Sequence, residues 1–347
     1  MEKILLRIFL IALSLTGIMA ECYHGYKYHR GRFPEYVVNL EEYNSAFDDY
    51  NSTAPTIDQF HALCFSTNRK SGSDFDIIKK LLHVSFVKDN GSLYIGENVD
   101  WEWSGTELFN ILDTALLIIN SSGNEFGPYI KSAQEIENDL YFTIGNQYLF
   151  MYATDAGGNL DIKFVHNIDE NSNVSEQFTG PYNVSIVNSN YNDAYPSFNS
   201  NYDKLFFCSD REGNYDIFYT SIDLSEGIAA SLQTATDASQ VLKSAVLSSD
   251  GNDKCPYIYK NVMVFASDRS GGFGGFDLYY SIFNGTGWEP PVNFGSSVNT
   301  EYDEFRPIYI YFPEFENDML LFSSNRPGGK GGFDLYYKGV SRMITYY

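Results

Sequence analysis

The sequence repeats itself, and this constrains the fold more than any other feature. "VFASDRSGGFGGFDLYYS", Val264 to Ser281, joins an apolar run to an aromatic run through a glycine-rich turn, and its return run begins at Asp277. "LFFCSDREGNYDIFYTS" does the same at Asp216, "LLFSSNRPGGKGGFDLYYK" at Asp334 and "LCFSTNRKSGSDFDIIK" at Asp76. "FMYATDAGGNLDIKF" is a weaker copy, returning at Asp161. Arg69, Arg211, Arg269 and Arg326 follow the first run in four copies; the weak copy has Ala156 there. A second element precedes each copy: "VNTEYDEFRP", "VNSNYNDAYP", "INSSGNEFGP" and "LSSDGNDKCP" align without a gap, ending at Pro307, Pro196, Pro128 and Pro256. The fifth, "YNSAFDDYNSTAP", aligns on Pro55 with a short insertion. Two elements recurring in one order make a chain of stacked supersecondary units, none able to bury its apolar face alone.

Each unit reads as four antiparallel strands. One follows the Pro, and an apolar run such as "NVMVFAS" forms the next. Glycine reverses the chain, because it accepts positive φ and has no side chain to clash. "FDLYYS" returns, and a run such as "EPPVNFG" forms the fourth strand. Four-stranded units repeated radially make a β-propeller. The last copy stops soon after its third strand, while "EYVVNLEEYNS" near the N-terminus resembles the fourth strand and linker "EPPVNFGSSVNT". Residues 36 to 40 are therefore expected to complete the final sheet and close the ring. The expected fold is all-β, a five-bladed propeller over residues 36–347, with six blades as the alternative. The interval from Pro55 to Pro128 is longer than the others. There Ser104 and Glu107 make a capping box, with Leu108, Leu112, Ala115 and Leu116 at helical spacing, so a helical insertion is expected near 101–120.

Residues 1–20 read as an export signal: Lys3 and Arg7 flank an apolar run, and Ala20 offers a cleavage point. Residues 21–35 would then be a linker. Cys22 raises lipidation at its thiol, although Glu21 stands where such signals carry a small residue; plain secretion is the other reading. No later stretch approaches spanning length. A net charge of −22 repels phosphate backbones and excludes nucleic acid as an expected partner. Tyr (28) and Phe (27) abound, which suits strands. Cys64 and Cys208 lie in apolar runs and read as buried thiols, and the cysteines show no metal-ligand spacing.

The pattern of strand, "S-D-R", glycine-rich turn and "D-[IL]-Y" resembles the WD40-like, TolB-type propeller repeat of bacterial envelope proteins, over roughly residues 36 to 340. The resemblance implies a periplasmic, outer-membrane-associated or extracellular protein that binds envelope partners. Some members are fused to a peptidoglycan-binding domain resembling the C-terminal part of OmpA; this chain is expected to carry none, because it ends with its last blade.

The chemistry is weighed on the repeated acids. Asp76, Asp161, Asp216, Asp277 and Asp334, with the four Arg, recur in step with the turns and read as structural, since a catalytic group is needed once. The acid ahead of each Pro is the site candidate: Asp49, Glu125, Asp193, Asp253 and Glu304. Placed at a channel mouth, five carboxylates would form an acidic ring for a cation such as Ca²⁺ or for a basic partner. The competing reading is that each caps its own linker turn. The histidines neither cluster nor repeat, and no zinc, nucleophile-elbow or phosphate-loop motif occurs. The expected function is a non-enzymatic binding or scaffold module of the cell envelope, presenting a propeller face to a protein or glycan, with no catalytic residue. The alternative is a glycoside hydrolase or lyase using channel carboxylates, with Trp101, Trp103 or Trp288 stacking on sugars.

Overall fold

The computed structural model describes residues 26–57, 60–97, 106–132, 147–168 and 177–344. The expected leader, Cys22, Trp101, Trp103 and Ser104 lie outside them.

Five antiparallel sheets are arranged in a ring. Blade one uses Asp49–Thr53, Phe60–Thr67, Asp76–Val87 and Ser92–Gly96, with a short extra strand at Thr56–Ile57. Blade two uses Glu125–Ser132, Tyr148–Thr154, Asp161–His166 and Thr179–Asn183. Blade three uses Asp193–Phe198, Lys204–Ser209, Asp216–Ser221 and Leu242–Lys243. Blade four uses Asp253–Tyr259, Val262–Ser267, Asp277–Ile282 and Val292–Asn293. Blade five takes Glu304–Ile310, Asp318–Ser324 and Asp334–Val340 from the C-terminal end and Val38–Asn39 from the N-terminal end. Val38 pairs with Tyr337 and Asn39 with Tyr336, so the two ends of the chain share one sheet. The ring is therefore closed by ladder hydrogen bonds and leaves no open seam. A helix at Thr106–Ile119 packs Ile111, Leu112, Ala115 and Ile119 against Ala62, Ile130 and Phe150 between the first two blades, and the sheets number five.

The linkers bind each blade to its predecessor through side chains that imitate a strand. Asn299 accepts the Leu278 N–H at 2.8 Å and donates to the Leu278 carbonyl at 3.0 Å. Asn44 does this to Leu335, Asn120 to Ile77 and Asn188 to Ile162. Ser248 takes the place in blade four's linker and accepts the Ile217 N–H at 3.1 Å. A second contact pairs one acid with one amide. Asn124 donates to Asp155, Asn192 to Asp210 and Asn252 to Asp268, each at 2.7 Å. At two blades the order is reversed: Asn325 donates to Asp303 at 2.9 Å, and Asn68 accepts the Asp48 N–H at 3.0 Å. An acid opposite an amide in either order avoids opposing two negative charges.

The glycine-rich tips are explained by close approach. A Cβ on Gly274 would meet the Thr300 carbonyl oxygen at 2.4 Å, and one on Gly331 would meet the Phe47 carbonyl oxygen at 1.8 Å. The hairpin of one blade thus lies on the linker of the next with no room for a side chain.

Removing one imitation strand leaves two buried backbone groups without partners. Asn299→Ala is expected to cost about 2–4 kcal/mol, read as a lower urea midpoint with an unchanged denaturant slope.

Candidate functional site

The five acids ahead of the prolines are wholly buried. Asp193 accepts the Ser189 N–H at 2.6 Å and its hydroxyl at 2.7 Å, while its other oxygen accepts Arg211 at 2.5 Å. Asp253 meets Ser249 and Arg269 and Asp49 meets Ser45 and Arg69 in the same way, while Glu304 accepts the Thr300 N–H on one oxygen and both the Thr300 hydroxyl and Arg326 on the other. Each arginine also donates to a linker carbonyl, on Tyr43, Val187, Leu247 or Val298. These four carboxylates bind their own linkers to the hairpin of the same blade. The ring expected to hold Ca²⁺ or a basic partner is corrected accordingly: its oxygens point into the blade and are already bonded. Among the described residues no three His, Cys, Asp or Glu side chains gather as a metal would need. The turn acids are bonded locally too: Asp277 accepts Phe273 N–H and the Asn293 amide, each at 2.8 Å, and Asp216 pairs with Lys243 at 2.5 Å. Asp334 accepts the Lys330 N–H and the Asn39 amide, Asp76 pairs with Lys70 at 3.1 Å, and Asp161 accepts from Asn159 at 3.5 Å.

Blade two departs from this pattern. Glu125 accepts the Ser121 hydroxyl at 2.6 Å and the Thr154 hydroxyl at 3.1 Å but has no arginine, because Ala156 stands in that position. Burial holds its carboxyl above the ordinary value of 4.5.

The register of the linkers identifies five residues that the acid pattern passed over. In every inner strand the pairing shifts just after the acid. The bulged residue is left-handed each time: Asn51 (φ 59°), Gly127 (57°), Tyr195 (58°), Cys255 (59°) and Arg306 (45°). Non-glycine residues adopt this conformation at a cost of roughly 1–2 kcal/mol. Asn51 sits two residues after Asp49, as Arg306 does after Glu304, so Ser52 occupies the proline position and blade one needs no insertion before Pro55. The sequence signal was a position that varies between a constant acid and a near-constant proline.

Four of these residues, Gly127, Tyr195, Cys255 and Arg306, lie against one another across the ring. Arg306 is fully buried, and its guanidinium reaches from blade five to the Pro128 carbonyl of blade two at 3.0 Å and the Pro256 carbonyl of blade four at 3.5 Å. It lies 5.5 Å from the Tyr195 ring, which in turn lies over Gly127. None of the five is a carboxylate. The alternative expectation of channel carboxylates therefore has no support at these positions.

An open groove lies between blades three and four. It holds about 590 Å³. Its aromatic wall is Phe206 stacked on Tyr219 with centroids 5.3 Å apart, Trp288 edge-on to Phe206 at 6.1 Å, and Phe283 against Trp288 at 5.5 Å. Phe283 and Trp288 are held by a β-bridge across the turn that contains Gly285. Asn199, Asn201, Asn261, Ser200 and Thr286 supply donors and acceptors, and Lys204 and Lys260 bring positive charge, while the Lys243 ammonium is paired with Asp216. The Ser200 hydroxyl donates to the Lys260 carbonyl at 2.6 Å and joins the two blades across the groove floor. Among the described residues its lining holds no Asp or Glu. A second groove of about 660 Å³ lies at the ring closure, lined by Tyr36, Tyr43, Tyr94 and Tyr337 with Glu41 and Glu42. There Glu42 accepts the Glu97 N–H at 3.3 Å, and the Glu97 carboxylate pairs with Lys80.

No family model matches this chain, and no curated protein does. Solved structures are similar to it at low identity. They include the α-L-arabinofuranosidase PaAbf62A from Podospora anserina, at 11% identity and a TM-score of 0.44, with 90% of this chain and 97% of that one covered. An exo-β-1,3-galactanase from Clostridium thermocellum is similar at 11% identity and a TM-score of 0.48, with 89% and 63% covered. A GH43 endo-arabinanase from Bacillus licheniformis is similar at 10% identity and a TM-score of 0.43, with 86% and 96% covered. At these identities no residue role passes to this chain. These similar structures are glycoside hydrolases and not TolB-type envelope modules, and on that finding the expectation of a non-enzymatic binding or scaffold module is corrected. No helix of the described residues is long and apolar enough to cross a membrane.

The gap in blade two is testable. A carboxyl with a raised folded-state pKa favours the fold when protonated, so that contribution is intact below about pH 4.5 and is lost as pH rises through the folded value. Ala156→Arg offers Glu125 the missing guanidinium. The expected gain is about 1.5–3 kcal/mol at neutral pH and little in acid, measured by urea unfolding at both.

Proposed function

We propose that this chain is carbohydrate-active and takes a saccharide in the groove between blades three and four. The observation that carries this reading is an aromatic wall built on Trp288, Phe206 and Phe283, facing amides, hydroxyls and ammonium groups in one cavity. Sugar rings offer C–H faces that pack on aromatic rings, and hydroxyls that amide groups bind in pairs. Lys204 and Lys260 in a lining without carboxylates, on a chain of net charge −22, favour a saccharide that carries acidic groups, while Lys243 is held by Asp216. Residues 1–20 support extending the proposal to an exported protein that meets its glycan outside the cytoplasm.

The test is titration calorimetry with neutral and uronic-acid oligosaccharides. Trp288→Ala is expected to weaken binding roughly tenfold, one lost ring contact being worth about 1–1.5 kcal/mol, with the fold retained by circular dichroism at the titration temperature. Unaltered affinity in that variant overturns the assignment of the groove.

A second reading, glycoside hydrolysis, draws support from the closure groove. Hydrolysis of a glycosidic bond employs two carboxylates on either side of it. Glu42 and Glu97 both border the Tyr43 phenol, among tyrosines that offer a sugar-binding wall. Reducing-sugar release from a polysaccharide panel is expected to fall by about 10²-fold or more in Glu42→Gln and Glu97→Gln. A wild-type protein that releases no sugar ends this second reading and leaves the binding groove standing.

A further inference from the structure

The groove between blades three and four has counterparts at the next two joints of the ring. It is lined by Tyr219, three residues after the turn acid Asp216 and paired with Leu242 of the fourth strand. Tyr280 stands three residues after Asp277, pairs with Val292 and lines a cleft of about 480 Å³ between blades four and five. Tyr337 stands three residues after Asp334, pairs with Val38 and lines the closure groove. One joint geometry therefore leaves a similar opening three times, and the residues added around each tyrosine set what it can hold.

The cleft between blades four and five contains a cation that the fold does not neutralise. Lys338, in the third strand of blade five, lines it and keeps only 5% of its surface exposed. Its ammonium has three N–H groups, and one of them donates to the Ser297 carbonyl at 2.8 Å. Among the described residues no carboxylate pairs with it. Glu35 is the acid that faces it, and that carboxylate is bonded to Arg32, which also reaches Glu316 at 3.2 Å. Burial pulls the Lys338 pKa below its ordinary 10.5, with Glu35 opposing. A buried ammonium with spare donors is unfavourable, and an anion that completes its bonding offsets this.

The wall beside it is aromatic. Phe294 packs on the Tyr280 ring with centroids 5.0 Å apart, and both stay partly exposed. The exposed Ser297 and Ser341 hydroxyls also line the cleft and make no hydrogen bond among the described residues. Building on the carbohydrate-active reading above, we propose that this cleft is a second saccharide site. It takes one uronic-acid residue, with the carboxylate on the Lys338 ammonium and the ring face against Phe294 and Tyr280. The two serines are left to bind sugar hydroxyls. A single open ammonium beside Glu35 suits one negative charge, so a doubly charged phosphate is disfavoured.

Titration calorimetry of the full chain with galacturonic acid trisaccharide tests this. The wild-type protein is expected to bind two molecules, one at each joint. Lys338→Met keeps the apolar stem and is expected to weaken one of them roughly 10- to 100-fold, while Trp288→Ala weakens the other. Wild-type crystals soaked in the trisaccharide are expected to show a carboxylate within hydrogen-bond reach of Lys338 Nζ, a measurement that stands even if Lys338→Met does not fold. A single site that Trp288→Ala weakens and Lys338→Met does not overturns this second site and leaves the first groove standing. A single site weakened by Lys338→Met alone supports it and overturns the first. An empty cleft in the crystal overturns the second site, and no binding of any kind overturns both.

Discussion

The ring depends on a buried carboxylate that is never alone. In four blades an acid at the start of the inner strand binds its own linker through a Ser or Thr and is closed off by an arginine from the hairpin of its own blade. The arginine reaches back to a linker carbonyl and lies over an aromatic ring, 5.3 Å from Phe65, Phe265 or Phe322 and 5.2 Å from Phe207. A buried ion pair is a weak source of stability compared with apolar packing, but breaking one is costly, so it fixes geometry more than it adds energy. Here it sets the angle at which linker, hairpin and inner strand meet, and repetition turns that angle into a closed ring. The acid–amide pairs and the linker asparagines add specificity at the same joints.

That economy moves function away from the residues that recur. A side chain required in every blade is committed to the joint, as the acids and arginines are. The residues that differ from blade to blade carry the individual character of the chain. On the inner strands these are Asn51, Gly127, Tyr195, Cys255 and Arg306, all left-handed, a conformation that is strained in the four that are not glycine. At the rim they are the turns that bring Trp288, Phe283 and Lys260 to face Phe206 and Tyr219. Strained bulges around an uncompensated charge, and an aromatic groove in a strongly acidic protein, are the two places where the molecule is not explained by its own packing.

Much of the fold was legible in the sequence because the repeat imposes its own accounting. Five copies, a missing fourth strand at one end and a matching run at the other imply a closed five-bladed ring, and Val38 pairs with Tyr337 accordingly. The site was less legible, for a reason visible in particular residues. The acids drew attention as a would-be ring because they recur, yet recurrence is the mark of a joint. Anchoring blade one on Pro55 concealed that Ser52 stands at the proline position and Asn51 at the bulge. The groove joins residues from the ends of two blades, Asn199 to Trp288, with no shared motif to announce it. Its members resemble ordinary strand and turn residues until the blades are set side by side.

The sequence by itself determined the unit, its number and its closure, since hydrophobic alternation, turn chemistry and self-similarity are local properties that survive in one dimension. Tertiary structure decided which polar groups were spent and which were left over. Asp193 and Arg306 are both buried charged residues of an inner strand shortly before a proline, three positions ahead of it and one, and that spacing does not say which of them finds a counter-charge. One finds a serine and an arginine at hydrogen-bond distance, and the other finds two carbonyls and no anion. Whether a buried charge is satisfied depends on what the rest of the ring brings within about 3 Å, and only the folded chain sets that distance.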